Sequence, residues 1–435
     1  MSVAQSRQII LNVNVLDFGI ARAAGQFSGL PASLVTSADY YAGIGRIAER
    51  GKLDAVFLAD NPSLARNPRG RGSRALEPSI ILTAVAEATS HIGLIGTLST
   101  TYNDPVELAE RILSLDFVSG GRAAWNAVTT YSPAAGPNFG LTSNPDRATR
   151  YRRANEFVDV VVGLWESAVT GANLHHRGEF FHVEGRLSLG ESPQGHPLVV
   201  QAGGSPQGRK LAGRTANGVF TAEFVLKTAI EHYELVKTEA IAHGRGREDV
   251  AILPGLVTTL GSTQAEAKAR DARLRELAPS DSALEMLSKR LDFDFSQLDL
   301  DDRIPPEALA DLRDPQAFKD SLGFREAVVE VLRERPYTVR EAIAKFGGGG
   351  HNRIVGTPEE VADFIETWFR AGAADGFNLM PDAFPSGLDD FVDQVVPILR
   401  ARGLFRHEYA ETTLRQRWGV GLTAERNARS LAANA

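Results

Sequence analysis

A chain of 435 residues, 43% hydrophobic and 23% charged, is long enough for one large barrel and apolar enough for a packed core, which excludes wholesale disorder. Its 47 basic and 54 acidic residues give a formal charge of −7, and the basic residues are scattered, so no nucleic-acid partner is expected. The lack of cysteine excludes disulfides, thiolate metal sites, iron–sulfur clusters and cysteine nucleophiles.

The start, MSVAQSRQIILNVNVLDFG, lacks the basic head and long apolar run of a signal peptide. No apolar run approaches the roughly 18–20 residues that cross a bilayer, so the expectation is a cytoplasmic protein without a membrane partner.

In chain order, QIILNVNVL (8–16) reads as a strand, TSADYYAGIGRIAERGK (36–52) as a capped helix and LDAVFLAD (53–60) as a second strand. PSIILTAVAEAT (78–89) is a helix with proline in its first turn, HIGLIGTLST (91–100) a strand and DPVELAERILSLDFVS (104–119) a helix. GGRAAWNAVTTY (120–131) is a fourth strand, whose alternation puts Trp125 and Ala127 on one face and Asn126 and Val128 on the other. A long helix follows at 145–168, and residues 170–195 interrupt the rhythm with a hairpin around HHRGEFFHVEG.

HPLVVQAGG (196–204) and GVFTAE (218–223) are strands followed by helices at 205–216 and 225–243. VAILPGLVTTLG (250–261) pairs with a helix at 263–278, and residues 279–350 read as irregular, with charged helical pieces and a flexible GGGG at 347–350. A helix at 357–373, the strand GFNLMPDA (376–383) and a helix at 388–403 close the pattern, and the polar, Arg-rich 404–435 reads as a subunit-wrapping or disordered arm.

Eight strands alternating with helices predict a single α/β domain over 1–435, a (β/α)8 TIM barrel with insertions after strands 4 and 7, at about 170–195 and 279–350. A doubly wound sheet would need a Gly-rich dinucleotide loop after strand 1, and DFGIARAAGQ lacks that spacing. In a barrel the chemistry sits at the C-terminal strand ends, which here carry Asp17, Phe18, Asp60, Thr97 to Thr101, Asn126 to Tyr131, Gly203 to Ser205, Glu223 and Asn378 to Asp382.

That set holds few carboxylates and, on the first four strands, no histidine, so no metal site is expected. His175 and His176 read as an exposed pair in the hairpin. His351, after four glycines, is either a plain loop residue or a side chain that a mobile loop swings over a site. QAGGSPQG (201–208) is either an anion site at a helix start or a tight turn capped by Ser205.

Several stretches together resemble the nitrilotriacetate monooxygenase component A-like group of the bacterial luciferase-like flavin monooxygenases. They include DAVFLAD (54–60), TLSTTYNDP (97–105), LDFVSGGRAAWNAVTT (115–130), NFG (138–140), RYRRANEFVDVVVGLW (150–165) and HRGEFFHVEG (176–185). PQGHPLVVQAGGSPQG (193–208), VGTPEEVAD (355–363), DGFNL (375–379) and VVPILRARGLFRHEYAETTLR (395–415) extend the match nearly end to end.

The resemblance implies a two-component monooxygenase. Reduced FMN (FMNH2) comes from a separate NAD(P)H:flavin reductase, and O2 adds to give a flavin C4a-(hydro)peroxide that oxidises a small organic or heterocyclic molecule. It implies Asp60 and Thr97 along the isoalloxazine, Asn126 at the ring's polar edge, and Thr130, Arg147, Tyr151, Gly204 and Ser205 around the ribityl phosphate. Phe18, Tyr131 and His351 are the expected substrate-pocket residues, no catalytic side chain is assigned, and a homodimer or homotetramer is expected.

The chain departs from its relatives after strand 1, at Thr130 and Tyr131, at Val106 and at Arg186, so no substrate carries over. Two alternatives remain open on this reading: a deazaflavin (F420)-dependent oxidoreductase on the same barrel, and a non-catalytic flavin-binding protein.

Overall fold

The computed structural model describes residues 7–64, 76–278, 280–315, 318, 321–346 and 350–421. Eight parallel strands close into a barrel: β1 (Ile10–Val15), β2 (Ala55–Leu58), β3 (Gly93–Ser99), β4 (Ala123–Val128), β7 (Leu198–Ala202), β8 (Gly218–Thr221), β9 (Ala251–Leu260) and β11 (Gly376–Pro381). They neighbour in that order, and β11 returns to β1 with Ile10 opposite Gly376. β5 (Leu174–Arg177) and β6 (His182–Gly185) form the antiparallel hairpin expected between the fourth and fifth barrel strands.

The strand-to-helix turns are set by one local device. Glu77, Asp104, Ser205 and Thr357 each accept a backbone N–H from the first turn of the helix they precede, and a proline follows each of them. Such a cap satisfies donors that the helix itself leaves free, and proline gives up only an N–H that had no partner there. Outside the barrel, Trp125, Phe157, Trp165 and Leu113 pack β4 against its flanking helices.

β10 (Asn352–Gly356), unread in the sequence, adds parallel to the distal half of β9, with Asn352 opposite Leu256. β9 is ten residues long, so its first half pairs with β8 and its second half has an edge free for β10. The described part of 279–350 is more ordered than its irregular sequence suggests. Helices Ser280–Leu291, Leu322–Glu334 and Val339–Phe346 share a buried cluster with Phe295, Val328, Leu332 and Tyr337. Gly347 to Gly349, most of the GGGG read as flexible, lie outside the described residues.

The segment read as an arm closes the bottom of the barrel as far as residue 421, and 422–435 lie outside the described residues. Leu414 and Trp418 join the apolar lower lumen of Ile10, Phe57, Ile95, Leu198 and Leu253. Leu414 N–H donates to Gly121 O at 3.0 Å, and Arg406 meets the buried Asp54 carboxylate with two hydrogen bonds of 2.9 and 2.8 Å. Among the described residues no helix is long and apolar enough to cross a membrane.

Candidate functional site

The lumen changes character along its axis. Above the apolar lower layer the inward positions of β1, β3, β4 and β11 are Asn12, Asn14, Thr97, Asn126 and Asn378, all buried. Strand register puts Asn12 opposite Asn378 and Thr97 opposite Asn126. Asn126 Nδ2 donates to Thr97 Oγ1 at 2.9 Å, while Asn126 Oδ1 and Asn14 Oδ1 have no hydrogen-bond partner. A buried amide oxygen without a donor costs about 1–3 kcal/mol, so such atoms mark a place built to meet a polar ligand rather than a core.

At the C-terminal mouth a cavity of about 490 Å³ opens between the ends of β4, β7 and β8 and the inserted helix Leu322–Glu334. That size suits a cofactor or a drug-sized ligand. One end is formed by a capped helix start and two arginines. Ser205 caps the helix Pro206–Thr215, its Oγ accepting Gly208 N–H at 3.2 Å, and Tyr151 Oη lies 3.1 Å from the same Oγ.

Arg147, the first residue of the helix Arg147–Thr170, and Arg209 also line this end. The helix Leu322–Glu334 starts against the same turn, so that a Cβ on Gly323 would stand 3.4 Å from Gly204 Cα. Free N–H groups, a helix dipole and fixed cations together favour a phosphate or carboxylate.

The other side of the cavity holds a carboxyl–imidazole pair. Glu223, just past β8, has Oε1 3.3 Å from Nδ1 of His232 on the helix Leu226–Ala242. Burial pushes the Glu223 carboxyl up to about 8, with Glu330 adding and Arg209 opposing. Burial pulls the His232 imidazole down to about 4, helped by Arg209. Both groups are therefore neutral at pH 7.

His351 is buried and packed into the wall of the cavity. Its ring stacks on Phe220 at 5.0 Å and 15° and meets the edge of Phe324 at 5.0 Å. A Cβ on Gly255 would stand 2.4 Å from His351 Nδ1, so β9 needs glycine there. Burial holds this imidazole down to about 3.

Of the residues singled out in the sequence, Asp60, Thr130, Tyr131, Arg147, Tyr151, Gly204, Ser205 and His351 line this one cavity. Thr97 and Asn126 lie inside the barrel, Asn126 two residues deeper along β4 than the lining Val128. Thr130 takes φ +30°, and its Oγ1 donates to Ser99 Oγ at 2.7 Å. Phe18 is away from the cavity, packed with Ala24 and Ala383 and edge-on to Tyr40.

Sequence reasoning missed Arg209, His232 and Gly323. Arg209 had a usable signal, four residues after Ser205 on the same helix face. The other two are brought in by tertiary packing, without a local motif.

The family model described as luciferase-like monooxygenase matches residues 16–375. Nitrilotriacetate monooxygenase component A of Aminobacter aminovorans is 40% identical over 88% of this chain and 90% of its own. The structure of EDTA monooxygenase from Chelativorans sp. BNC1 superposes with TM-score 0.79 at 33% identity, covering 95% of this chain and 99% of that one. The riboflavin lyase RcaE, solved with modified FMN and riboflavin, superposes with TM-score 0.80 at 27% identity over 95% and 96% of the two chains.

Proposed function

Because this chain belongs to the luciferase-like monooxygenase family, we propose that it is an FMNH2-dependent, two-component monooxygenase acting with O2 on a small organic molecule. The observation that carries the reading is the anion cradle, where the Gly204–Ser205 turn, Tyr151 and Arg147 converge at a helix start beside a polar lumen. These residues fit FMN. The turn and Arg147 would hold the phosphate, Thr130 its approach, and Asp60, Thr97 and Asn126 the polar edge of the ring. Reduced FMN, when bound, supplies the two electrons with which O2 is split between substrate and water.

The chain's own work is binding, orientation and dryness. Asn126 Oδ1, a buried acceptor without a donor, suits a ring N–H. The inserted helix Leu322–Glu334 and the ring cluster of Phe220, His351 and Phe324 wall the cavity from water. Tyr131, 45% exposed at the mouth, stands where an organic substrate would enter.

A separate NAD(P)H:flavin reductase would deliver FMNH2, a reading supported by the relative named as a component A. Exposed Ile80, Val106, Phe117 and Val118 on the adjacent helices Pro78–Ala88 and Pro105–Val118 offer apolar surface for a homodimer or homotetramer.

Anaerobic titration with reduced FMN and reduced riboflavin tests the cradle. FMN should bind at least about thirtyfold more tightly, because riboflavin has no phosphate for it. Equal affinities would overturn the assignment.

A further inference from the structure

His232 is 6% exposed and lies beside the Gly204 turn, its Cε1 3.9 Å from the point a Gly204 Cβ would occupy. Nδ1 faces Glu223 Oε1 at 3.3 Å, and Nε2 is buried without a hydrogen-bond partner. Arg209 Nη1 is already committed to the Gly204 carbonyl, so the nearby cation braces the turn.

A neutral imidazole has one ring proton, and its partner at one nitrogen decides where that proton sits. As an acid, Glu223 donates O–H to Nδ1, so the proton is on Nε2 and can be donated to an anion. As a carboxylate, Glu223 accepts from Nδ1–H, and Nε2 becomes a bare lone pair that an anion repels. The 3.3 Å approach of Glu223 Oε1 to Nδ1, with burial raising the carboxyl and lowering the imidazole, favours the first arrangement at neutral pH.

We propose that His232 is a further binding residue of this site, donating from Nε2 to the phosphate monoester of the flavin, with Glu223 as the positioning residue that sets the ring's tautomer. This rests on the reading that the Gly204–Ser205 turn holds that phosphate.

The charged and titratable groups that line the cavity around the pair include Arg147, Arg150 and Tyr151 on Arg147–Thr170 and Asp60 just past β2. Arg209 lies on Pro206–Thr215, Glu231 on the helix of His232 itself, Glu326 and Glu330 on Leu322–Glu334, and His351 beside β10. His351, its imidazole held down to about 3, stays neutral from pH 7 to 9.5, so Glu223 is the group of the pair that titrates there. FMN affinity should therefore fall across that range, and riboflavin affinity should not.

Calorimetric titration of the flavin-free protein with FMN and with riboflavin tests this. His232→Phe keeps the ring shape without a donor, and it should weaken FMN about ten- to a hundredfold while leaving riboflavin unchanged. Glu223→Gln has an amide that can donate to Nδ1 at every pH, so it should keep the FMN affinity of pH 7 and abolish the decline towards pH 9.5.

Unchanged FMN affinity in His232→Phe, or equal losses for both flavins, overturns the inference. So does a Glu223→Gln variant that retains the native decline, a result that needs no His232 variant to fold. Ser205→Asp serves as the control: if it weakens FMN and His232→Phe does not, only this inference fails. If neither weakens FMN, the phosphate assignment fails with it.

Discussion

The two ends of the barrel treat their buried carboxylates and amides differently, although Arg417 and Trp418 at the closed end also keep buried N–H groups without a partner. At the N-terminal end, Asp54 accepts Leu11 N–H at 2.8 Å and both arms of the Arg406 guanidinium, all buried. Asp375 accepts Ile252 N–H at 2.7 Å and faces Lys237 Nζ at 3.1 Å, and Asp116 accepts Ala123 N–H at 2.9 Å. At the C-terminal end, Asn14, Asn126 and His232 each keep a buried atom without a partner. Paired buried charge fixes one conformation, whereas unpaired buried polarity lowers stability and suits a ligand. One end therefore carries the fold and the other the chemistry, as this architecture divides them in general.

The comparison breaks most visibly if the closed end is cut. Arg406→Ala leaves the Asp54 carboxylate buried and unpaired and should cost about 3–5 kcal/mol in urea unfolding. FMN affinity of the folded fraction should stay unchanged, since the two ends act separately.

Ser205→Asp probes the open end, and should weaken FMN by about a hundredfold through repulsion of the phosphate, read by the same titration. Aspartate caps a helix as well as serine, so the unfolding midpoint should hardly move.

The Glu223–His232 pair gives a pH dependence with a definite sign. The folded Glu223 carboxyl titrates near 8, above its ordinary value, so its contribution to stability is full below about pH 4.5 and is lost as pH rises to 8. His232, held down to about 4, loses stability in the other direction, as pH falls from about 6.5. Glu223→Gln should therefore raise stability at pH 8 by on the order of 2 kcal/mol and flatten the alkaline side of a urea-midpoint profile.

Asn126→Leu should also change stability little. Losing the bond to Thr97 and losing an unpartnered oxygen oppose each other, so stability should change by less than about 1 kcal/mol. FMN affinity should nevertheless fall several-fold.

The fold was legible because strand alternation and cap–proline pairs are local. All eight barrel strands, and the inward turn of Asn126 beside an outward Trp125, could be read from residues a few positions apart. β10 was missed because NRIVG, which begins two residues after a glycine run, becomes a strand only where the long β9 leaves an edge free. The Arg-rich end looked unstructured because Arg406 finds its partner, Asp54, 352 positions away. Within the site, the turn capped by Ser205 followed from glycines and a helix start, whereas His232 came beside it through packing on a helix that looked ordinary. Phe18 points the other way: it stands at a strand end, yet packs into a side cluster.

The central claim is that the open end binds reduced FMN and governs its reaction with oxygen. The most direct measurement is a stopped-flow oxygen pulse on the protein preloaded anaerobically with reduced FMN, following the return of oxidised-flavin absorbance and the release of peroxide. The account predicts that the protein delays both well beyond free reduced FMN, and that Ser205→Asp abolishes the delay at matched flavin concentration. Reoxidation at the rate of free FMN, unaltered by protein, would contradict it.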